Sequence, residues 1–321
     1  MSPLKLDPEF AQIWSVLSQR PKPVLKDVYD IRQDTANSLR EISKLMPERK
    51  DVQETKHTVT SLDGTNFDVH RFTPPEASSS ASPQRAVVYA FGGGMVGGDV
   101  DGWRPMTKDL AHRTGSQVFM VIYRLAPEHR APAAVEDVYS AVKWLQLHAA
   151  EFNVDPKRIV LRGESAGGGI MAGTALMARD KGLPYPLAAA SLSQPMLDDR
   201  TTLPDDHPMQ PYLIWGSRSN QLAWTALLGR GIEERTDENV SIYASPARAK
   251  DLSGLPDMCI FTGALDLFVE EDIEFTRRLI DAGGYVEFRI FPGVPHGFEL
   301  LRQIRVGQEA TLLEENFIKR Y

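Results

Sequence analysis

The 321-residue chain has a single cysteine, Cys259. That excludes an internal disulfide framework and any zinc site built on cysteines. Cys259 lies in the apolar run Met258-Cys259-Ile260-Phe261 and reads as strand packing, not as a nucleophile. No stretch approaches the ~20 apolar residues that a membrane helix needs, so no membrane span is expected. Positive charge is also scarce: 36 Lys and Arg stand against 43 Asp and Glu, a formal net charge of −7. This argues against a general electrostatic grip on nucleic acid. The opening residues Met1 to Pro8 carry no apolar core of a secretory signal, and Phe317 to Tyr321 carry no lipidation or retention motif. The expectation is a reducing, cytoplasmic setting. What is present is ordinary globular material, 42% hydrophobic and 25% charged, enough for one large domain or two small ones.

The first fifty residues read as helices. Asp7-Pro8 is a cap followed by a proline at the first helical position, with Phe10, Ile13, Trp14 and Leu17 on one face until Pro21 and Pro23. Asp27 caps a second helix in which Val28, Ile31, Ala36, Leu39 and Ile42 recur up to Pro47. From about Lys56 the pattern changes. His57 to Thr60 and Val69 to Phe72 suit a hairpin across Asp63-Gly64, and Pro74 to Pro83 reads as a surface loop. Short apolar runs then alternate with helical periods: strands at 86–91, 118–123, 158–161, 187–192, 258–262 and 286–291, and helices at 135–149, 167–178 and from Val269 to Gly283-Gly284. In the last of these, Val269, Ile273, Thr276 and Ile280 fall on one face. This alternation predicts a mostly parallel α/β sheet covered on both faces. The interval 195–231, with Pro204, Pro208, Pro211, Trp215 and Trp224 and no clean strand, reads as a helical insert.

The strongest local signal is Gly163-Glu164-Ser165-Ala166-Gly167, between a strand and a helix. Glycines on either side of a serine permit a sharp turn that lifts the hydroxyl clear of the sheet. The same turn leaves the Ala166 amide at a helix N-terminus, aimed at developing negative charge. Such a serine needs a base, and enzymes built on this elbow carry acid and then histidine later in the chain. Only His207 and His296 follow Ser165. His296, just beyond the last strand, is the better base, and His207 in Asp205-Asp206-His207-Pro208 reads as a loop residue. Asp266, just past a core strand, is the best acid. Glu270, Glu271 and Asp272 compete, but have a plainer reading as favourable charge at a helix start. The run Phe91-Gly92-Gly93-Gly94-Met95-Val96-Gly97-Gly98 can offer backbone amides to a substrate oxygen. A phosphate cradle is the competing reading, weakened by the absence of any basic residue in the loop and of a Walker lysine.

With these residues the chain resembles the hormone-sensitive-lipase-like branch of the α/β-hydrolases, microbial carboxylesterases grouped with arylacetamide deacetylases and plant relatives. The resemblance is carried by Phe91 to Gly94, Tyr123-Arg124-Leu125-Ala126-Pro127-Glu128-His129, Gly163 to Gly168, Pro195 to Arg200, Tyr243 to Arg248 and Pro292 to Phe298. It implies an α/β-hydrolase fold with an eight-stranded, mostly parallel sheet. It also implies a catalytic domain over 51–321 and a helical cap made of residues 1–50 and the insert at about 195–231. It implies Ser165 as nucleophile, Asp266 as acid and His296 as base, and the amides of Gly93, Gly94 and Ala166 as oxyanion hole. It implies no cofactor and a small-molecule ester as partner, and leaves open a homodimer through the last strand or helix. Three positions depart from the family pattern: Phe91 where histidine is usual, Glu164 where aspartate is common, and Leu267 where proline is frequent.

The expected function is therefore a serine carboxylesterase acting on short- to medium-chain acyl esters through an acyl-enzyme. Phe10, Trp14, Trp215 and Trp224 read chiefly as packing of the cap, and no long apolar lid helix suggests interfacial activation. Amide or lactone hydrolysis and acyl transfer with the same triad remain alternatives. A non-catalytic small-molecule receptor is a more distant one, since such relatives have lost the histidine.

Overall fold

Aspartates open both helices of the amino-terminal segment. The computed structural model describes residues 4–19 and 24–321, so the expectations placed on Met1 to Pro3 and on Pro21 and Pro23 lie outside the described residues. Asp7 accepts the amides of Glu9 and Phe10, both at 3.0 Å, at the start of α1 (Pro8–Leu17). Asp27 takes those of Tyr29 and Asp30 at the start of α2 (Val28–Ser43). Each carboxylate satisfies donors that a helix N-terminus leaves without intrahelical partners.

The hairpin β1 (Gln53–Thr60) and β2 (Asn66–Thr73) is antiparallel. The loop after it is more ordered than expected and holds the short helix α3 (Pro75–Ser79). Then follow β3 (Gln84–Ala90), α4 (Val100–Thr114), β4 (Gln117–Ile122), α5 (Ala133–Leu147), β5 (Val154–Glu164), α6 (Ala166–Lys181) and β6 (Ala189–Ser193). The interval 195–231 contributes α7 (Ser217–Leu228). The chain closes with β7 (Asp257–Gly263), α8 (Val269–Asp281), β8 (Val286–Phe291) and α9 (Arg305–Arg320). The eight strands form one sheet in the order β1-β2-β4-β3-β5-β6-β7-β8. β2 meets β4 antiparallel, and all pairs from β4 to β8 are parallel. Helix α4 packs with α9 and with β2 and β4, while α5 and α6 pack together on the other side of β3 and β5. Central strands buried on both faces account for their near-continuous apolar sequences. Cys259 on β7 is fully buried, and that burial pushes its thiol well above the ordinary range.

Besides the short α3, two longer helices have no counterpart in the sequence reading. Helix α4 carries Gly102 near its start and Pro105 inside it, which mask its period, although Asp99 caps it. Helix α9 buries Val306, Ala310, Phe317 and Ile318. The face assigned to α8 is corrected. Val269, Asp272, Phe275, Thr276 and Leu279 are buried, whereas Ile273 and Ile280 are 37% and 57% exposed. The helix covers β7 and the edge strand β8, beyond which, among the described residues, no further strand receives its outer flank.

Helix α6 seats very closely on its neighbours. A Cβ added at Gly173 would run into the carbonyl of Tyr243 and lie 3.2 Å from a Val135 methyl. The helix interior itself favours alanine over glycine by about 1 kcal/mol, yet overpacking costs about 1–3 kcal/mol. Gly173→Ala is therefore expected to destabilise by up to about 2 kcal/mol net. A rise in the urea midpoint would show the contact to be soft.

Candidate active site

Strand β5 ends at Glu164 and helix α6 begins at Ala166, leaving one residue to make the turn. Ser165 does so at φ 55° and ψ −122°, a conformation costing a non-glycine residue about 1–3 kcal/mol. The flanking glycines are needed for close approach. A Cβ on Gly163 would strike the Gly167 carbonyl, and one on Gly167 would strike that of Ala90. The turn is pinned to the end of β6: the Ser165 amide donates to Ser193 O (2.8 Å), and Met196 donates to Ser165 O (2.9 Å).

Two further loops reach the same sheet edge. Asp266 follows β7 and His296 follows β8, and their segments are tied together by Leu265 N to Val294 O (3.0 Å) and Ala264 N to Phe291 O (2.8 Å). The sequence-selected side chains meet. His296 Nδ1 lies 2.7 Å from Asp266 Oδ2, and His296 Nε2 lies 2.9 Å from Ser165 Oγ. An ionised carboxylate only accepts, so Nδ1 carries the proton and Nε2 is left to accept from the serine hydroxyl. Asp266 is fully buried, and its Oδ1 takes the amide of Phe268 at 3.0 Å. The Phe268 ring meets the imidazole edge-on, with centroids 5.3 Å apart. Burial alone would lower the affinity of His296 for a proton. The charge and hydrogen bond of Asp266, helped by Glu299, outweigh it and raise the imidazole above its ordinary value.

The competing residues lie elsewhere. His207 accepts the Met209 amide (3.3 Å) within the insert. Glu270 is exposed, as a residue at a helix start can be. Glu271 and Asp272 stand in the first turn of α8, as read from the sequence, but both are buried. Glu271 accepts the amides of Leu197 (2.6 Å) and Asp198 (3.3 Å) and the Thr201 hydroxyl. Burial drives the carboxyls of both residues well above the usual range; for Asp272 the nearby Glu271 and Asp266 add to it.

The glycine-rich loop lies against the elbow. A Cβ on Gly92 would sit 3.3 Å from that of Ser165. Gly93 and Gly94 have φ of +132° and +64°, and the carbonyl of Gly93 accepts from Val96 (3.2 Å) and Gly97 (2.9 Å). Among the described residues, no acceptor in the chain takes the amides of Gly93, Gly94 or Ala166. The Ala166 amide also stands at the positive end of the sixteen-residue helix α6. The Trp215 ring packs directly over Gly94.

Sequence reasoning missed how these loops are held, although it singled out Glu164 as a departure from the family pattern. Gln194, at φ 46°, accepts the Gly297 amide at 2.8 Å and donates to Glu299, clamping the histidine loop. Glu164 accepts the Gly92 amide at 2.9 Å. Neither role shows in the local sequence, because each works through partners far along the chain. Among the described residues no group of three or more His, Cys, Asp or Glu could hold a metal ion, and no helix is long and apolar enough to cross a membrane.

A family model for the alpha/beta hydrolase fold matches residues 87–300. The chain is an α/β-hydrolase. It belongs to the hormone-sensitive-lipase-like branch of that family and to the carboxylic ester hydrolases. It is 32% identical over 285 residues to "Carboxylesterase NlhH" of Mycobacterium tuberculosis, covering 85% of this chain and 82% of that protein. A bacterial heroin esterase superposes with a TM-score of 0.86 at 34% identity, covering 98% of this chain and 97% of the other. A hyperthermophilic esterase from Pyrobaculum calidifontis gives 0.82 at 30% identity, covering 99% of both chains.

The electrostatics of this hydrolase make one direct expectation. An NMR titration of the His296 ring should have its midpoint above 6.5, and Asp266→Asn should move it down, since only the burial effect and a weaker Glu299 contribution would remain. A midpoint below 6.5 in the unaltered protein would mean that burial prevails.

Proposed function

We propose that this carboxylesterase works through Ser165 as nucleophile, His296 as general base and acid, and Asp266 as the group that orients and stabilises the imidazolium. The observation that carries the reading is the continuous chain of contacts, 2.9 Å from Ser165 Oγ to His296 Nε2 and 2.7 Å from Nδ1 to Asp266. As Oγ attacks the ester carbonyl, its proton passes to Nε2 and the carbonyl electron pair moves onto oxygen. The amides of Gly93, Gly94 and Ala166, which have no acceptor in the chain among the described residues, would hold that oxyanion. Collapse of the intermediate breaks the bond to the alkoxy group, which leaves with the proton from Nε2. Water then repeats the cycle on the acyl-enzyme, releasing the acid and returning the proton to the start.

Residues in α1, α2 and the 195–231 insert form the cap in this reading, and the substrate is a small ester with a short to medium acyl chain. Three of the four aromatics considered for the cap pack among themselves or in the core. Phe10 and Trp224 are fully buried, and Trp14 contacts Phe10 (5.9 Å) and Tyr212 (5.8 Å). Trp215 alone lies on the glycine loop, against Gly94. A large ring beside an oxyanion donor leaves little length for the acyl group.

Ser165→Ala should lower kcat/KM for p-nitrophenyl butyrate by at least about 10⁴-fold, and a fluorophosphonate should label the unaltered protein once per chain at Ser165. Near-normal turnover by the variant, or no labelling, would refute the nucleophile assignment. Trp215→Ala should raise the octanoate-to-butyrate ratio of kcat/KM by about tenfold or more, about tenfold being the low end for one methylene in an apolar pocket. An unchanged ratio would remove Trp215 from the acyl pocket.

A further inference from the structure

The carboxylate next to Ser165 reaches the glycine loop. Glu164 is 3% exposed. Its Oε1 accepts the Gly92 amide at 2.9 Å and the Tyr89 hydroxyl at 2.6 Å, while Oε2 forms an ion pair with Arg162. Arg162 is itself held by Glu314 (2.9 Å) and lies over the Tyr89 ring, 4.7 Å from its centroid. We propose that Glu164 is a positioning residue for ester hydrolysis, fixing the oxyanion loop against the nucleophile through its bond to the Gly92 amide. This rests on the reading of Gly93 and Gly94 as oxyanion donors.

The loop needs such an anchor. Its first residue, Phe91, offers no polar side chain and is stacked on Tyr123 with centroids 4.4 Å apart; Gly92, Gly93 and Gly94 offer no side chain at all. Glycine has the widest backbone freedom of any residue, so three in succession do not hold amides in one direction unaided. Peptide units are planar. Once the Gly92 amide and the Phe91 carbonyl, which accepts from Tyr123 Oη at 2.7 Å, are fixed, only one pair of torsions separates that anchored unit from the Gly93 amide. The anchor is also covalently adjacent to Ser165, so nucleophile and loop share one short backbone segment. A bare carboxylate here would oppose a developing oxyanion; the Arg162 guanidinium on its far oxygen offsets that charge.

The alternative is that Glu164 serves only as counterion to a buried arginine. Two variants of nearly equal volume separate the ideas. Both Glu164→Gln and Glu164→Met remove the charge, but only glutamine keeps an oxygen for the Gly92 amide. With p-nitrophenyl butyrate, Glu164→Met is expected to lose about 10- to 100-fold in kcat, the scale of a roughly 1 Å misplacement, with KM within about threefold. The inhibition constant of an aryl trifluoromethyl ketone, whose hemiketal anion occupies the oxyanion site, should rise in parallel. Glu164→Gln should stay within about threefold to fivefold of the unaltered kcat, because its acceptor remains. If Glu164→Met does not fold beside Arg162, the pair Arg162→Met with Glu164→Met relieves the unpaired cation and should be as slow. Equal kcat in the glutamine and methionine variants would overturn the inference, as would recovery of activity in the double variant. Should these variants match the unaltered enzyme while Ser165→Ala is inactive, the positioning role alone fails. An active Ser165→Ala would instead sink the underlying reading.

Discussion

The backbone of Ser165 is the constraint on which the arrangement depends. A serine at φ 55° and ψ −122° is disfavoured by about 1–3 kcal/mol, and it persists because its surroundings leave the chain no other path. Strand β5 is hydrogen-bonded on both sides, helix α6 is pressed against Ala90, Pro195, Met196 and Tyr243 by glycines, and β6 binds the serine amide. Releasing the strain would require moving the middle of an eight-stranded sheet. The hydroxyl is therefore held out of the sheet edge by the core itself rather than by contacts around the pocket.

The same edge explains why residues separated by 131 positions meet. Parallel strands deliver their following loops to one end, and β5, β7 and β8 supply Ser165, Asp266 and His296 there. Their electrostatics follow from depth. Asp266 is fully enclosed, and an anion so placed next to a donating imidazole makes the protonated ring more favourable than in water. Gln194 and Glu299 extend this control to the loop beyond the histidine. A buried carboxyl near the imidazole thus acts on charge as well as on geometry.

Much of this was legible in the sequence because the relevant signals are local. The strands β3 to β8 with the helices α5, α6 and α8, the caps at Asp7 and Asp27, and the elbow at Gly163 to Gly167 all follow from residues a few positions apart. Ser165, Asp266 and His296 could be singled out because each follows a recognisable strand. What was illegible depends on distant partners. The exposure of Ile273 and Ile280 on α8 reflects the position of β8 at the sheet edge, and the burial of Glu271 goes with the distant loop at Leu197, whose amide it accepts. Helix α4 was hidden by Gly102 and Pro105. Helix α9 differs, since Val306, Ala310, Phe317 and Ile318 give it an apolar spacing visible in the sequence.

The amino-terminal helices are attached to the site loops rather than merely laid across them. The Asp7 amide donates to Gly293 in the histidine loop (2.9 Å), and Glu9 accepts the Arg305 amide (2.7 Å). On α2, Arg32 spans from the Val96 carbonyl at the end of the glycine loop (2.7 Å) to the Ala126 carbonyl (3.1 Å) and Glu128 (2.8 Å). Each such bond is worth about 0.5–1.5 kcal/mol, more where a charge takes part. Separating α1 and α2 from the sheet would break all of them together and expose Phe10, Val28, Ile31 and Leu39. These helices are thereby part of the framework that sets the loops, α1 holding the histidine loop at Gly293 and α2 the glycine loop at Val96.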